Sequence, residues 1–221
     1  MNDTKIEWTD FSWNPVSGCK HGCVYCYARD IYKRYGWSFE PQIHQGRMNE
    51  PFREKKPSKI FVCSVADLFG EWVPTSWIDQ VLDIAIQCPQ HTFQFLTKNP
   101  ERLLKFAWPK NCWIGATATS KLQWDRAETV LQQANATVRF ISAEPLLAEI
   151  VPNCWFPDWL IIGACTGRLA KQPNREWVLS LIARADTSNI PVFLKPNLTI
   201  IPPNRKEFPL VTGQALLFST T

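Results

Sequence analysis

Six short apolar runs recur along the 221-residue chain, and their spacing constrains the fold more than any other feature. They are KIFVCS (59–64), TFQFLTK (92–98), CWIGATA (112–118), VRFISAE (138–144), DWLIIGA (158–164) and PVFLKP (191–196), with a weaker seventh, FSWNPV (11–16). Each is too short for a helix and rich in β-branched or aromatic residues, so each reads as a buried strand. Helical patterns fill most of the gaps. After Pro74, Ser76 with Asp79 three residues on makes a capping-box-like start, and Ile78, Val81, Leu82 and Ala85 mark one face. Trp124, Ala127, Leu131 and Ala134 repeat the pattern, as do Val178, Leu181, Ile182 and Ala185. Ala28, Ile31, Tyr32 and Tyr35 form a further helix stopped by Gly36. Strand, helix, strand at intervals of 20 to 33 residues means parallel βα units. Six or seven of them predict an α/β fold, a full or partial (β/α) barrel rather than an open sheet, over residues 1–196. The tail, 197–221, loses the alternation and is expected to pack on the same domain as an appendage.

No segment reaches the roughly 18 apolar residues of a membrane span, and MNDTKIEWTD carries no apolar signal region. The expectation is a cytoplasmic protein with no membrane partner, whose thiols stay reduced. Its eight cysteines then read as ligands, catalytic groups or small buried hydrophobes rather than disulfides. Cys63, Cys88, Cys112, Cys154 and Cys165 lie singly and read as packing, although Cys165 directly follows an apolar run. The net charge of +4 is uneven: from Lys20 to Lys59 there are nine Lys or Arg against four Asp or Glu. Tyr25, Tyr27, Tyr32, Tyr35, Trp37 and Phe39 interleave with these cations. Such a stretch suits a phosphate backbone, and it equally suits a solvated helix face.

Cys19, Cys23 and Cys26 stand within eight positions, in SGCKHGCVYCYARD (17–30). Thiolates select soft metals. With His21 as fourth ligand the group would make a Cys3His zinc site, although its place between two of the cysteines makes convergence awkward. A [4Fe–4S] cluster instead has four irons that each need an outside ligand; three cysteines hold three of them and leave one open.

The C-x3-C-x2-C spacing, with aromatic Tyr25 before the last cysteine, resembles that of the radical S-adenosylmethionine (SAM) superfamily. KIEWTDFSWNPVSGC, SVADLFGEWVP, FLTKNPERL, ISAEPLL and DWLIIGACTG further resemble the successive motifs of a phage-associated three-Cys-motif family placed near those enzymes. The resemblance runs from about Lys5 to Pro196, with more around NRKEFP. It implies a cluster on Cys19, Cys23 and Cys26, a SAM molecule with its adenine against Tyr25, a 5′-deoxyadenosyl radical and a reductant for the cluster. A partner protein is also implied, since one neighbours the family in related genomes. Two departures stand out: GACTG has Cys165 where the family's glycine-rich turn has an acid, and the chain is short.

Both candidate architectures place their chemistry at the C-terminal ends of strands. Those ends supply Ser64, Asp67, Lys98, Thr117, Thr119, Glu144 and Lys195. Charged residues ending apolar strands are costly to bury unless paired or liganded. Lys98 and Glu144, with Ser64 and Tyr25, are assigned to SAM, and Asp67 and Lys195 to the substrate. The alternative is a pair of structural ion pairs, Lys98–Glu144 or Asp67–Lys195. His44, on a long loop, is a candidate proton donor or plain surface, and Trp13 and Asn14 are expected to brace the thiol loop from below. Two rival functions remain beside a radical enzyme favouring a nucleic-acid substrate. One is a non-enzymatic nucleic-acid-binding protein with structural zinc; the other is a catalytically silent cluster protein acting with a partner.

Overall fold

Alternation within each apolar run decides which side chains face the helices and which face each other. The computed structural model describes residues 1–153, 157–202 and 205–211, so Cys154 and residues 212–221 of the expected appendage lie outside the described residues. The chain begins with strands β1 (Asn2–Asp3), β2 (Phe11–Trp13) and β3 (Val16–Ser17), then helix α1 (Tyr27–Arg34) and β4 (Gln42–Ile43). Next come β5 (Lys59–Val62), α2 (Thr75–Gln87), β6 (Thr92–Thr97), β7 (Cys112–Thr117) and α3 (Lys121–Gln133). The series ends with β8 (Val138–Ala143), β9 (Trp159–Ile162), α4 (Arg175–Thr187) and β10 (Val192–Leu194). All seven apolar runs are strands. With β1 they form one eight-stranded sheet, in the order β1-β2-β5-β6-β7-β8-β9-β10, parallel throughout except for β1 at one edge.

Both faces of this sheet are covered. Ile60, Val62, Phe93, Phe95, Ile114, Ile141, Leu160, Ile162, Val192 and Leu194 pack into the cluster that holds Ile78, Val81, Leu131, Val178 and Leu181 from the helices. The alternate residues Phe61, Trp113, Phe140, Trp159, Ile161 and Phe193 pack on one another and on Trp8. Trp8 lies 4.7 Å from the Phe61 ring and 6.1 Å from that of Trp159. Their strands, β5 and β9, stand four positions apart, roughly 19 Å in a flat sheet. The sheet is therefore strongly curled, with the aromatic cluster on its concave face. Among the described residues no ladder joins β1 to β10.

Two local findings, at α2 and at β3 and β4, depart from the sequence reading. Helix α2 starts at Thr75 behind Pro74, with no side-chain cap, so the capping box at Ser76 is not formed. Strands β3 and β4 form a small antiparallel sheet that pairs Val16 with Ile43 and Ser17 with Gln42; two-residue strands leave no periodicity to read. Past β10, Leu194 N–H donates to the Arg205 carbonyl at 2.9 Å, and Phe208 packs on Trp159 and Phe193. The stop of α1 is as expected. Gly36 has φ +66, its N–H donates to Lys33 and that of Trp37 to Tyr32, the two bonds of a Schellman motif.

Candidate functional site

The loop that carries the thiols is fixed at both ends. Gly18 enters it at φ +83, and a methyl group there would collide with the Glu40 carbonyl, so only glycine fits. Its N–H donates to the Val65 carbonyl and that of Cys19 to the Phe39 carbonyl, both at 3.2 Å. At the far end Cys26 caps α1, its Sγ accepting the Arg29 N–H at 3.4 Å. The Arg29 guanidinium reaches back to the Cys19 carbonyl at 3.0 Å, tying the two ends together. Below the loop, Asn14 Oδ1 accepts from Ser64 Oγ at 3.1 Å and Val65 N–H at 3.3 Å. Trp13, fully buried, donates from Nε1 to the Arg47 carbonyl at 2.8 Å.

Cys19, Cys23 and Cys26 all line one cavity of about 260 Å³. Its walls are the C-terminal ends of the parallel strands. Two-residue alternation continued past the aromatic cluster brings Lys98, Thr117, Ser142, Glu144 and Lys195 to the same concave side, and all five line the cavity. Ser64, Asp67 and Tyr25 line it too. Burial pushes the Cys19 thiol up to about 11, with smaller contributions from Asp67 and the neighbouring thiols. Burial, and then Cys23, also raise the Tyr25 phenol, against a hydrogen bond with Thr119. Lys98 Nζ stands 5.9 Å from the centre of the Tyr25 ring, within cation–π range.

Pairing among the charged residues differs from both sequence-based alternatives. Lys195 pairs with Glu144, and Lys98 with neither. β8 and β10 flank β9, and Gly163 at the end of β9 leaves the room. A Cβ there would stand 3.0 Å from Glu144 Cγ and 3.1 Å from Lys195 Cδ. Asp67, 5% exposed, is bonded to four groups instead of to Lys195. Oδ1 accepts from Phe69 N–H at 3.0 Å and Thr97 Oγ1 at 2.7 Å. Oδ2 accepts from Lys98 N–H at 2.8 Å and lies 2.7 Å from His21 Nε2. Burial alone would raise its pKa, but bonds from His21, Lys98 and Thr97 more than offset that and hold the carboxylate below its usual range.

Several residues to which the sequence reading gave another role or none belong to this site. His21 is bound to Asp67 and edge-on to Trp72, engaged away from a shared ligand point with the thiols. Ser142, 1% exposed, has an Oγ with no partner among the described residues, so a group bound in the cavity would satisfy it. Cys63 and Cys165, taken as packing, also line the cavity. Cys63 has φ +62, rare for a side-chain-bearing residue, and burial raises its thiol to about 12. Tyr27 donates its hydroxyl to the Ser64 carbonyl at the rim. Inward alternation was the available signal for both, two residues before Glu144 for Ser142 and two after Phe61 for Cys63. Thr119 is not in the cavity lining; its Oγ1 donates to Gln123 Oε1 at 2.8 Å. His44 is outside the cavity lining, 2.7 Å from Ser17 Oγ, its pKa held down by burial and Arg47.

Among the described residues no three His, Cys, Asp or Glu side chains converge closely enough to share one metal ion. Nor is any helix among them long and apolar enough to cross a membrane.

No curated protein matches the sequence. Among solved structures, a spore photoproduct lyase variant is similar over 74% of this chain and 58% of its own, with a TM-score of 0.55 at 10% identity. A second variant, with bound AdoMet and dinucleoside spore photoproduct, is similar over 84% of this chain and 63% of its own, with a TM-score of 0.53 at 11% identity. This chain thus has an α/β fold, with a mostly parallel sheet, like theirs, and spans less than two thirds of their length. A family model covers residues 3–202, nearly the whole of the curled sheet and every residue of the cavity, and the chain belongs to that family, described as a protein of unknown function (DUF5131).

Proposed function

We propose that this protein is a radical SAM enzyme with a [4Fe–4S] cluster on Cys19, Cys23 and Cys26, acting inside a partial barrel. The observation that carries this is the opening of all three thiols onto one cavity walled by the ends of the parallel strands. Three thiols that share a cavity without converging on one point suit a polynuclear cluster better than a single zinc. His21, the fourth ligand a zinc site would need, is engaged by Asp67. Likeness in fold to a lyase that binds AdoMet adds support. When bound, such a group supplies one electron to a sulfonium, the source of a carbon-centred radical.

The chain's own residues then have separable tasks. Glu144 and Lys195 pair in the free cavity; on a zwitterion Glu144 takes the ammonium of SAM, and Lys195 is released toward the substrate. Lys98, over the Tyr25 ring, takes the carboxylate, and the ring offers the adenine a flat face. Ser142 Oγ and Ser64 are the neutral groups for ribose hydroxyls. Asp67, with four groups already on its oxygens, is a positioning residue: it sets the Lys98 backbone and His21 and has no lone pair directed at a substrate. Tyr27 and Phe39 at the rim limit the access of water.

Anaerobic reconstitution with iron and sulfide tests the reading. About four irons per chain, and 5′-deoxyadenosine from SAM under dithionite, are expected, with both lost in Cys23→Ala. One zinc per chain without labile sulfide would overturn the proposal and leave a binding protein on the same scaffold.

A further inference from the structure

We infer that the outer face of α1 and the turn after it form a track that leads a single-stranded nucleic acid into the cavity. This inference rests on the radical-enzyme reading only for what happens inside the cavity. Tyr27, Ile31 and Tyr35 lie at four-residue intervals on one side of α1, and all three are exposed, together with Val24 and Trp37. An apolar helix face turned to solvent next to a functional cavity marks a binding surface. Its rings are ordered. Phe39, on the cavity rim, meets Tyr32 at 4.9 Å, and Tyr32 meets Trp37 edge-on at 5.7 Å. Trp37 is stacked on Tyr35 at 4.9 Å and 22°, the two rings 58% and 61% exposed. A run of rings thus leads from the cavity to a nearly parallel, exposed pair.

Cations accompany the rings. Arg29 lies over Phe39 at 5.1 Å, and the last turn of α1 presents exposed Lys33 and Arg34, against a single acid, Asp30. Cations beside stacking rings recognise unpaired bases on a phosphate backbone. An acidic protein would meet the same cations, but it has no use for a parallel ring pair in line with the cavity. A duplex would meet the phosphate sites only, since its bases already stack on each other.

The test is fluorescence anisotropy of the reconstituted protein with a fluorescein-labelled oligothymidylate of about a dozen nucleotides, compared with a duplex of equal length. The single strand is expected to bind more tightly than the duplex, with affinity falling as salt rises. Tyr35→Ala with Trp37→Ala should weaken binding by roughly 10- to 100-fold, while Tyr35→Phe with Trp37→Phe stays within about threefold. Lys33→Ala with Arg34→Ala should lower the log–log salt slope by about 1 to 2. Circular dichroism checks that each variant is folded. Equal binding of duplex and strand, unchanged affinity without the rings, or a dimer that the ring variants abolish in place of strand binding would each overturn the track. The 5′-deoxyadenosine assay on the same samples separates the two proposals. SAM cleavage without strand binding removes only the track, and strand binding without a cluster removes only the radical chemistry.

Discussion

The two ends of the curled sheet are built from the same strands with opposite chemistry. Toward the N-terminal ends, Trp113, Phe140, Trp159 and Phe193 turn inward and, with Trp8 and Phe61, fill the concavity with rings. A few residues further along those strands, Thr117, Glu144 and Lys195 follow, and the concavity opens into a cavity with charged side chains and thiols on its wall. The aromatic end excludes water through packing alone and tolerates no gap. The polar end holds its charges in pairs or hydrogen-bond sets and keeps space. Stability and chemistry are thus stacked along the strand axis, and substitutions at the two ends should separate them.

The largest expected effect is at the closed end. Trp159 is fully buried, its ring within 6.3 Å of the rings of Trp8, Trp113, Phe140, Phe193 and Phe208, and its Nε1 donates to the Glu207 carbonyl at 2.8 Å. Trp159→Ala should cost about 3–5 kcal/mol, measured by urea unfolding, and a domain of this size loses about 2–4 °C of Tm per kcal/mol. Reaction of the cavity thiols with a disulfide reagent, measured in the folded variant, should keep its native rate. A changed rate would show that the two ends are coupled and would break the comparison.

A smaller effect is expected at the wall between protein and cavity. Asp67→Asn keeps the size but turns an amide N–H2 toward groups that already donate, so about 2–3 kcal/mol should be lost. The wild-type carboxylate has a depressed pKa in the folded state. Its contribution is complete above the ordinary carboxylate value near 3.9 and is lost as pH falls through the folded value. The stability of Asp67→Asn should accordingly fall less steeply than that of the wild type in this acid range. Parallel acid limbs in denaturant titrations of the two would remove Asp67 from the account.

Much of this layout was readable in the chain, because period-two alternation is a local property. All seven apolar runs are strands, and the positions at their ends that carry Lys98, Thr117, Glu144 and Lys195 share one side of the sheet. Partners were not readable. Sequence places Glu144, Lys98 and Lys195 at strand ends but not around the sheet, where β9 alone separates Glu144 from Lys195 and Gly163 leaves them room. The partners of Asp67 were unreadable for a similar reason: all four come from three separate segments, at 21, 69 and 97–98, and no spacing joins them. The helix start at Ser76 failed because Pro74 ends the preceding extended segment and the helix begins directly after it at Thr75.

The smallest effect on stability, and the sharpest contrast, belongs to Glu144 and Lys195. Their side chains keep 23% and 20% exposure, so water screens the pair only in part, and separating it should cost about 1–2 kcal/mol. Glu144→Gln, Lys195→Met and the double variant should therefore unfold within that margin of the wild type. If Glu144 leaves Lys195 for the ammonium of a bound zwitterion, the affinity of reconstituted protein for SAM should fall by about tenfold or more in Glu144→Gln, read by equilibrium dialysis. Gly163→Ala provides the graded version, since its methyl would displace Glu144 Cγ and Lys195 Cδ by only a few tenths of an ångström. It should weaken SAM binding less than Glu144→Gln while leaving the unfolding midpoint unchanged. A large loss of stability in Glu144→Gln with SAM affinity intact would make the pair a structural brace, and the polar end would then be held together by the same logic as the aromatic one.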